Sequence, residues 1–173
     1  MLRDFSAPVS LKYDYSEEEL AVLMAKESNP FARWEAGQRL LQRSILDNVE
    51  RRAAGTCMEI SEGLVVAMET LLSDASTDPA LVAEAITLPD EEYLAELVEE
   101  VDVDGIHAAR SFVKSRLAAR LGSLLKERYD STADRGPFDK SRAAIARRSL
   151  RNACLSYLLE TPGGEGIAGR QLD

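Results

Sequence analysis

Histidine, the residue type that most often binds catalytic zinc, occurs once in this sequence, as His107. A zinc peptidase of the His-Glu-x-x-His type needs two imidazoles one helical turn apart and a glutamate that activates water. His107 stands between Ile106 and Ala108 near the start of a segment with helical periodicity. A structural role near a helix end is therefore favoured over metal ligation. We predict no catalytic, cofactor-binding or metal-binding residue in this chain.

Acidic and glycine-rich clusters also lack the spacing of a known site. The segments at 90–92 (Asp-Glu-Glu) and 99–100 (Glu-Glu) lack the alternating oxygen ligands and central glycine of a calcium-binding EF-hand loop. We interpret them as solvated helix faces. The glycines within 163–166 follow a helical pattern rather than a strand, and no phosphate-loop lysine comes after them. This cluster therefore predicts a turn.

Cysteine and tryptophan are the remaining residue types with distinctive chemistry. Cys57 and Cys154 lie far apart in helical patterns, so buried structural thiols are favoured over a disulfide or a reactive site. Trp34 is the only tryptophan and lies one helical turn after Phe31 on an apolar stripe. Trp34 could gate a ligand pocket, but we favour a place in the core.

Charge is strongly segregated along the sequence, which carries a net charge of −9. Residues 59–104 contain fourteen acidic residues and no Lys or Arg, whereas residues 105–151 contain twelve Lys or Arg and four acidic residues. We expect these stretches to form neighbouring helices that largely neutralise one another, rather than two separate docking faces. The basic residues Arg147, Arg148 and Arg151 lack the interleaved aromatics of a nucleic-acid interface. We expect them to pair with the acidic helices.

Seven helices and the start of an eighth are predicted from caps and from apolar residues at helical spacing. The signals, in order, are Ser16 with Glu19, Asn29-Pro30, Ser61, Asp78-Pro79, Pro89-Asp90, the pattern from about 104 to 129, the pattern from 138 to 159, and the final GIAGRQLD. Before them, the alternation of Val9, Leu11 and Tyr13 suits a short extended strand or a connector.

These elements predict an all-α fold with a short N-terminal extended strand. Helices joined by short turns favour stacked antiparallel pairs, as in a HEAT-like α-solenoid segment, and a compact bundle is the alternative. The 173 residues combine 45% hydrophobic with 29% charged residues, which is typical of a folded soluble protein. No apolar run is long enough to span a bilayer, and the start resembles no signal peptide, so we expect a cytoplasmic protein.

Four separated strings carry a family resemblance along the chain. They are LRDFSAPV at 2–9, NPFARWEAGQRLL at 29–41, DPALVAEAITLP at 78–89 and RRSLRNACLSYL at 147–158. In this order they resemble the bacterial aminopeptidase N branch of the M1 zinc metallopeptidases. The resemblance implies that residues 1–15 end a preceding β-domain or form a connector, and that residues 16–173 form the N-terminal part of the helical C-terminal domain.

The resemblance also implies a function for a longer parent enzyme. Such a parent removes N-terminal amino acids from peptides, with zinc polarising the scissile carbonyl and activating water. The family's zinc and catalytic motifs have no counterpart here, so none of its functional residues is carried over to this chain. The expected partners are the remaining domains of the parent and its peptide substrate, with no nucleic acid and no membrane.

Two functional hypotheses follow from the sequence. In the first, the chain is a non-catalytic segment that helps enclose the active-site chamber of an aminopeptidase and limits the access of substrates. In the second, it is a free-standing helical adaptor that binds a protein partner through its acidic face. The unfinished final helix and the N-terminal strand without a pairing strand favour the first hypothesis.

Overall fold

The computed structural model describes residues 13–134 and 136–172, and these ranges contain eight α-helices and no strand. In order, the helices are α1 (Glu17–Lys26), α2 (Pro30–Ala53), α3 (Glu62–Ser73), α4 (Pro79–Ile86), α5 (Glu91–Glu96), α6 (Val103–Ser131), α7 (Arg142–Leu158) and α8 (Gly164–Leu172). The all-α prediction is confirmed for this part of the chain. The predicted strand through Val9 and Leu11 lies outside the described residues.

The predicted helix starts are confirmed by side chains that cap free backbone N–H groups. Ser16 and Glu19 form the expected capping box at α1, since each side chain accepts a hydrogen bond from the other residue's backbone N–H. Asn29 caps α2 through the N–H of Ala32, and Pro30 occupies the first turn. Helix α7 differs from the prediction because Ser141 caps it, so it begins at residue 142 rather than 138.

The end of α2 also follows the sequence signal. Gly55 has a φ of +71°, a left-handed conformation that glycine adopts without a Cβ penalty. The N–H of Gly55 donates to Arg52 O, and the N–H of Thr56 donates to Arg51 O, which satisfies two of the last carbonyls of the helix. The chain therefore turns sharply here and runs towards α3.

The helices share one hydrophobic core. Helix α2 packs against α1, α4 and α6; α3 packs against α1 and α6; and α7 packs against α4, α6 and α8. The largest fully buried side chains are Met24, Leu40, Leu41, Ile45, Leu64, Met68, Leu71, Leu72, Ile86, Leu94, Ile106 and Tyr157. Because α2 lies in contact with both the early and the late helices, its orientation fixes the positions of α1 and α4.

Four apolar residues that stand at helical spacing with buried neighbours in the sequence are exposed in the structure: Phe31, Tyr93, Leu97 and Ile145. Helix α5 has only six residues and fully buries Leu94 alone, so Tyr93 remains at the surface. Near the start of α7, the two alanines on either side of Ile145 are buried instead. Helical periodicity defines a face, but the neighbouring helices decide how far along the helix that face is covered.

A buried arginine fixes the first turn of α2 against two other segments. Arg33 donates hydrogen bonds to Met24 O at 2.8 Å and Ala25 O at 2.8 Å, near the end of α1. It also donates to the Thr77 hydroxyl at 2.9 Å, in the loop before α4. A guanidinium on the last carbonyls of a helix satisfies acceptors that have no intrahelical partner. Arg33 thereby holds α1, α2 and the start of α4 together.

The two charge-segregated stretches are spatial neighbours, as predicted. Helices α3 and α5 of the acidic stretch pack against α6, and α4 packs against α7. Contacts between charged side chains join the stretches directly, since Arg120 pairs with Glu62 at 2.8 Å and His107 Nδ1 lies 2.9 Å from Oε1 of Glu91. Arginines of α2 also pair with the acidic stretch, as Arg51 does with Glu59. The negative charge of the acidic stretch is therefore neutralised partly by α2.

In the parts of the chain that the structure describes, no helix is both long and apolar enough to cross a membrane.

Candidate functional site

A groove runs along the surface between the first half of α2 and the α4–α5 segment. Its volume is about 710 Å³. The residues that line it are Phe31, Trp34, Glu35, Gln38, Arg39 and Gln42 from α2, and Glu84, Thr87, Leu88, Pro89, Asp90 and Tyr93 from α4, α5 and the turn between them. Apolar and hydrogen-bonding side chains are thus mixed along one concave surface, which is typical of a binding site.

Two glutamines of α2 hold the opposite side of the groove in place. The side-chain amide of Gln38 donates to Glu84 O at 3.1 Å and to Thr87 O at 3.0 Å, at the end of α4. The amide of Gln42 donates to the Tyr93 hydroxyl at 3.0 Å. These bonds join α2 to both α4 and α5 across the groove. The concave shape is therefore fixed by the fold itself.

An aromatic pair forms one end of the groove. The ring centroids of Phe31 and Trp34 lie 5.5 Å apart with the ring planes inclined at 49°, a favourable tilted arrangement. Trp34 is half-buried and packs against the core, so the predicted core position is confirmed only for part of its ring. The rest of Trp34 lines both the groove and an adjoining depression of about 330 Å³ that Pro30 and Leu81 also line.

The charged residues of the groove leave it slightly acidic. Arg39 is paired with Glu35 at 2.6 Å, one helical turn away, so its charge is largely neutralised. Glu84 and Asp90 add two further carboxylates, and Asp90 also caps α5 by accepting from the N–H of Tyr93. The residues lining the groove include no histidine, cysteine, serine or lysine. The aromatic side chains and the two carboxylates make the groove suited to binding an apolar surface with basic groups.

The structure places His107 on the exposed side of α6. Its Nδ1 lies 2.9 Å from Oε1 of Glu91 in α5, which agrees with the structural role favoured from the sequence. Within residues 13–134 and 136–172, no group of three or more His, Cys, Asp or Glu side chains is arranged to hold a metal ion. The absence of site residues from this chain stays a prediction.

The cysteines occupy different environments. Cys154 is buried in α7, and burial raises the pKa of its thiol to about 12, although Arg128 opposes the shift. This residue matches the buried structural thiol that the sequence predicts. Cys57 is exposed in the segment between α2 and α3, so the same prediction is wrong for Cys57.

The basic residues of α7 contact the end of α6 and the loop after it, not the acidic helices as predicted. Arg147 and Arg148 pair with Asp134, at 3.4 and 3.0 Å. The Arg151 guanidinium lies over the ring of Tyr129 at 3.8 Å from its centroid and donates to Tyr129 O. The prediction is wrong because the α6–α7 loop brings its own carboxylate closer to these arginines than the acidic stretch comes.

The structure also places the acidic and glycine-rich clusters that the sequence singled out. Glu91 contacts His107, and the glutamates at 99–100 are exposed in the turn before α6. The predicted helix face is therefore wrong for 99–100, because α5 ends at Glu96 and α6 begins only at Val103. Gly163 has a φ of +87°, which confirms the predicted turn at this residue, whereas Gly164 and Gly166 belong to α8. A Cβ on Gly164 would lie 2.1 Å from Leu158 O, so this position has no space for a side chain.

Sequence reasoning did not identify the groove as a site. A signal was present, because Phe31 and Trp34 are followed on the same part of α2 by the polar residues Glu35, Gln38 and Gln42 at helical spacing. A face that mixes aromatic and amide side chains differs from an ordinary core stripe. The residues on the other side, from α4 and α5, could not be paired with it before the packing was known.

Comparisons with known proteins agree with the fold and extend it. The chain is 39% identical over 168 residues to an aminopeptidase N from Caulobacter vibrioides, which covers 96% of this chain and 19% of the relative. It is 36% identical over 167 residues to the aminopeptidase N of Haemophilus influenzae, with the same coverage of 96% and 19%. The resemblance to aminopeptidase N is thereby confirmed. The chain spans about a fifth of the length of these relatives.

A solved structure gives the same result. The chain superimposes on aminopeptidase A from Legionella pneumophila, determined in complex with aspartic acid, with a TM-score of 0.75 and 31% identity, covering 91% of this chain and 19% of that one. Residues 17–172 match a family described as a domain of unknown function (DUF3458_C) with ARM repeats, which supports the helical-solenoid prediction. The chain belongs to this ARM-repeat family.

Proposed function

We propose that this chain is a non-catalytic helical segment of an M1 zinc aminopeptidase. In this proposal, residues 1–15 end a preceding β-domain or form a connector, and residues 16–173 begin the helical C-terminal domain. The observation that carries the proposal is the identity of 36–39% to aminopeptidase N from three bacteria over 91–96% of this chain. The relatives are about five times longer than the chain, so the proposed catalytic domains lie in the remainder of the parent.

The zinc ion that such a parent implies does not fit the residues of this chain. The single imidazole, His107, is exposed and faces one carboxylate, Glu91, whereas a catalytic zinc site uses three protein ligands. We therefore assign zinc binding and peptide hydrolysis to the parts of the parent outside this chain. Cytoplasmic localisation belongs to the same proposal.

The contribution of this segment is to restrict access to the active site. Stacked helices of the ARM type form extended concave surfaces, and the groove between α2 and α4–α5 is concave and largely preformed. A wall of this kind admits short flexible peptides to an enclosed chamber, while folded proteins are too large to enter. The segment thus selects substrates by size without touching the reacting bond.

The proposal is tested with two purified proteins, the full-length parent and this chain alone. The parent is expected to release amino acids from aminoacyl-arylamides and short peptides in a zinc-dependent reaction that chelation abolishes. This chain alone is expected to show no turnover. Zinc-dependent hydrolysis by the isolated chain, after removal of contaminating host peptidases, would contradict the non-catalytic role.

The enclosing role has its own test in the parent. A short peptide and a folded protein that carries the same N-terminal residues are compared as substrates. We expect efficient trimming of the peptide and very slow trimming of the folded protein. Comparable kcat/KM values for both would show that the chamber is open, even if the parent is an aminopeptidase.

A further inference from the structure

The segment that joins α5 to α6 exposes large aliphatic side chains. Leu97 follows the last residue of α5 and is 46% exposed, Val101 lies in the turn and is 51% exposed, and Val103 begins α6 and is 66% exposed. Turns are usually built from Gly, Pro, Asn, Asp and Ser, because these residues suit the backbone or hydrogen-bond to it. The three aliphatic side chains therefore form an apolar patch that the fold of this chain leaves uncovered.

Carboxylates surround this patch. Residues 92–104 contain no Lys or Arg and six acidic residues, all exposed: Glu92, Glu96, Glu99, Glu100, Asp102 and Asp104. Arg52, in the last turn of α2, lies 3.7 Å from Asp102. Within residues 13–134 and 136–172, the other five carboxylates form no ion pair. Residues 92–104, here called the α5–α6 surface, thus combine an apolar centre with an excess of negative charge.

The α5–α6 surface is held in one shape by its own caps and by the core beneath it. Leu94 and Ile106 are buried, so both helices that flank the turn are anchored. Asp102 caps α6 by accepting a hydrogen bond from the N–H of Gly105 at 2.8 Å. A Cβ on Gly105 would lie 2.2 Å from Oδ2 of Asp102, so a side chain there would displace the cap. Little ordering of this surface is then needed when a partner binds, which favours binding.

We propose that the α5–α6 surface binds a separate protein through a basic segment with an apolar face. Lys and Arg side chains of that segment lie beside the carboxylates, and its apolar side chains cover Leu97, Val101 and Val103. The inference goes beyond the proposed function and does not depend on it, because it concerns a partner and not the parent's reaction.

Charge decides against a second copy of this chain as the partner. Two copies related by a twofold axis would place the same carboxylates opposite each other, and like charges at an interface are unfavourable. The basic side chains of α7 already have partners within the chain. Arg147 and Arg148 pair with Asp134. Arg151 lies over the ring of Tyr129. A polypeptide with free Lys and Arg side chains complements the α5–α6 surface better.

Fluorescence anisotropy with a labelled helical peptide of leucine and lysine tests the inference in this chain. The leucines stand at helical spacing, so the probe has one apolar face and one basic face. Saturable binding at one peptide per chain is expected. Replacing the lysines by glutamates, or the leucines by serines, is expected to raise the Kd at least about tenfold, because each change removes one half of the complementarity.

Two pairs of substitutions separate the apolar centre from the carboxylates. Val101→Ser with Val103→Ser removes most of the apolar patch, and Glu99→Gln with Glu100→Gln removes two charges. Each pair is expected to raise the Kd of the leucine–lysine peptide at least about fivefold. All four side chains are exposed, so the Tm is expected to stay close to the wild-type value.

Helix α3 supplies the matched control. Val66 and Glu69 are both exposed and lie one helical turn apart in the same acidic stretch. Val66→Ser with Glu69→Gln is expected to leave the Kd unchanged. In the ¹⁵N-labelled chain, the peptide is expected to shift the amide resonances of residues 96–104 and to leave those of residues 62–70 in place.

The same titration in the full-length parent completes the test. A Kd within about threefold of that for the chain is expected, because a separate protein must reach this surface in the intact parent. Four outcomes would overturn the inference. They are no saturable binding, equal weakening by the α3 control, loss of binding in the parent, and a chain dimer that Val101→Ser with Val103→Ser dissociates in sedimentation. The second would show attraction to overall negative charge, the third a surface covered by the parent itself, and the fourth an interface between two copies.

Discussion

Asn48 is a buried side chain whose replacement should destabilise the protein measurably. It lies in the second half of α2 and is 1% exposed. Its amide nitrogen donates to Ser44 O at 2.7 Å and to Glu59 O at 2.8 Å, and its oxygen accepts from the N–H of Glu59 at 2.8 Å. One side chain thus satisfies both backbone groups of Glu59. This pins the segment before α3 to the side of α2.

The expected magnitude follows from the groups that Asn48→Ala leaves without a partner. Ser44 O keeps its helical hydrogen bond, but the N–H and C=O of Glu59 both lose the side-chain amide. An unsatisfied buried group costs about 1–3 kcal/mol. A polar cavity of about 90 Å³ adjoins Asn48 and Glu59, so a water molecule can satisfy one of the two groups. With one group left unsatisfied, we expect a loss of about 1–3 kcal/mol in the free energy of unfolding, or a Tm lower by roughly 2–12 °C for a chain of this size.

Urea unfolding followed by circular dichroism measures this loss. Asn152→Ala is the matched control, because Asn152 is exposed and its side-chain oxygen accepts one hydrogen bond from Gln171 at 2.9 Å. That substitution is expected to change the free energy of unfolding by less than about 0.5 kcal/mol. A loss below about 1 kcal/mol for Asn48→Ala, with an unchanged m-value, would refute the reasoning that Asn48 is the main partner of Glu59.

Three further predictions concern other buried or hydrogen-bonded side chains. Tyr157→Phe removes the hydroxyl that donates to Ile86 O at 2.5 Å, and urea unfolding is expected to show a loss of about 1–2 kcal/mol because that buried carbonyl loses a partner. Hydrogen bonds from Ser76, Thr77 and the Ser76 backbone lower the pKa of Asp74 from 3.8 to about 2. Because the folded-state pKa is depressed, the stability advantage of wild type over Asp74→Asn is expected to be full above about pH 5 and to shrink as the pH falls from 4 to 2, measured as the difference in Tm. A thiol reagent at pH 8 is expected to modify Cys57 alone in the native chain and both cysteines in urea, since Cys154 is buried with a pKa of about 12; two reactive thiols in the native state would contradict this.

Helix order and helix starts could be predicted from the sequence because their causes are local. Ser16, Asn29 and Asp78 cap the N–H groups two or three residues ahead of them, so the signal and the structure lie within one turn. The start of α7 was misplaced for a similarly local reason. The apolar Phe138 extended the hydrophobic pattern, whereas the Ser141 cap set the boundary.

The groove could not be predicted from the sequence because its two sides are far apart along the chain. Gln38 contacts Thr87 across 49 residues and Gln42 contacts Tyr93 across 51. Nothing in the local sequence pattern indicates that the side-chain amides of α2 lie opposite the end of α4. For the same reason, the partners of Arg147 and Arg148 were wrongly assigned to the acidic helices, although the nearer Asp134 lies in the loop that joins α6 to α7.

The sequence by itself determined the all-α class, the caps, the turn at Gly163, the lone histidine and the resemblance to aminopeptidase N. These depend on residue identity and on spacing within one or two helical turns. Only the tertiary structure decided that α2 leaves Phe31 exposed while it buries Leu40 and Ile45 further along the same helix. Burial depends on which helices pack against each turn, and that packing results from the summed contacts of the whole chain.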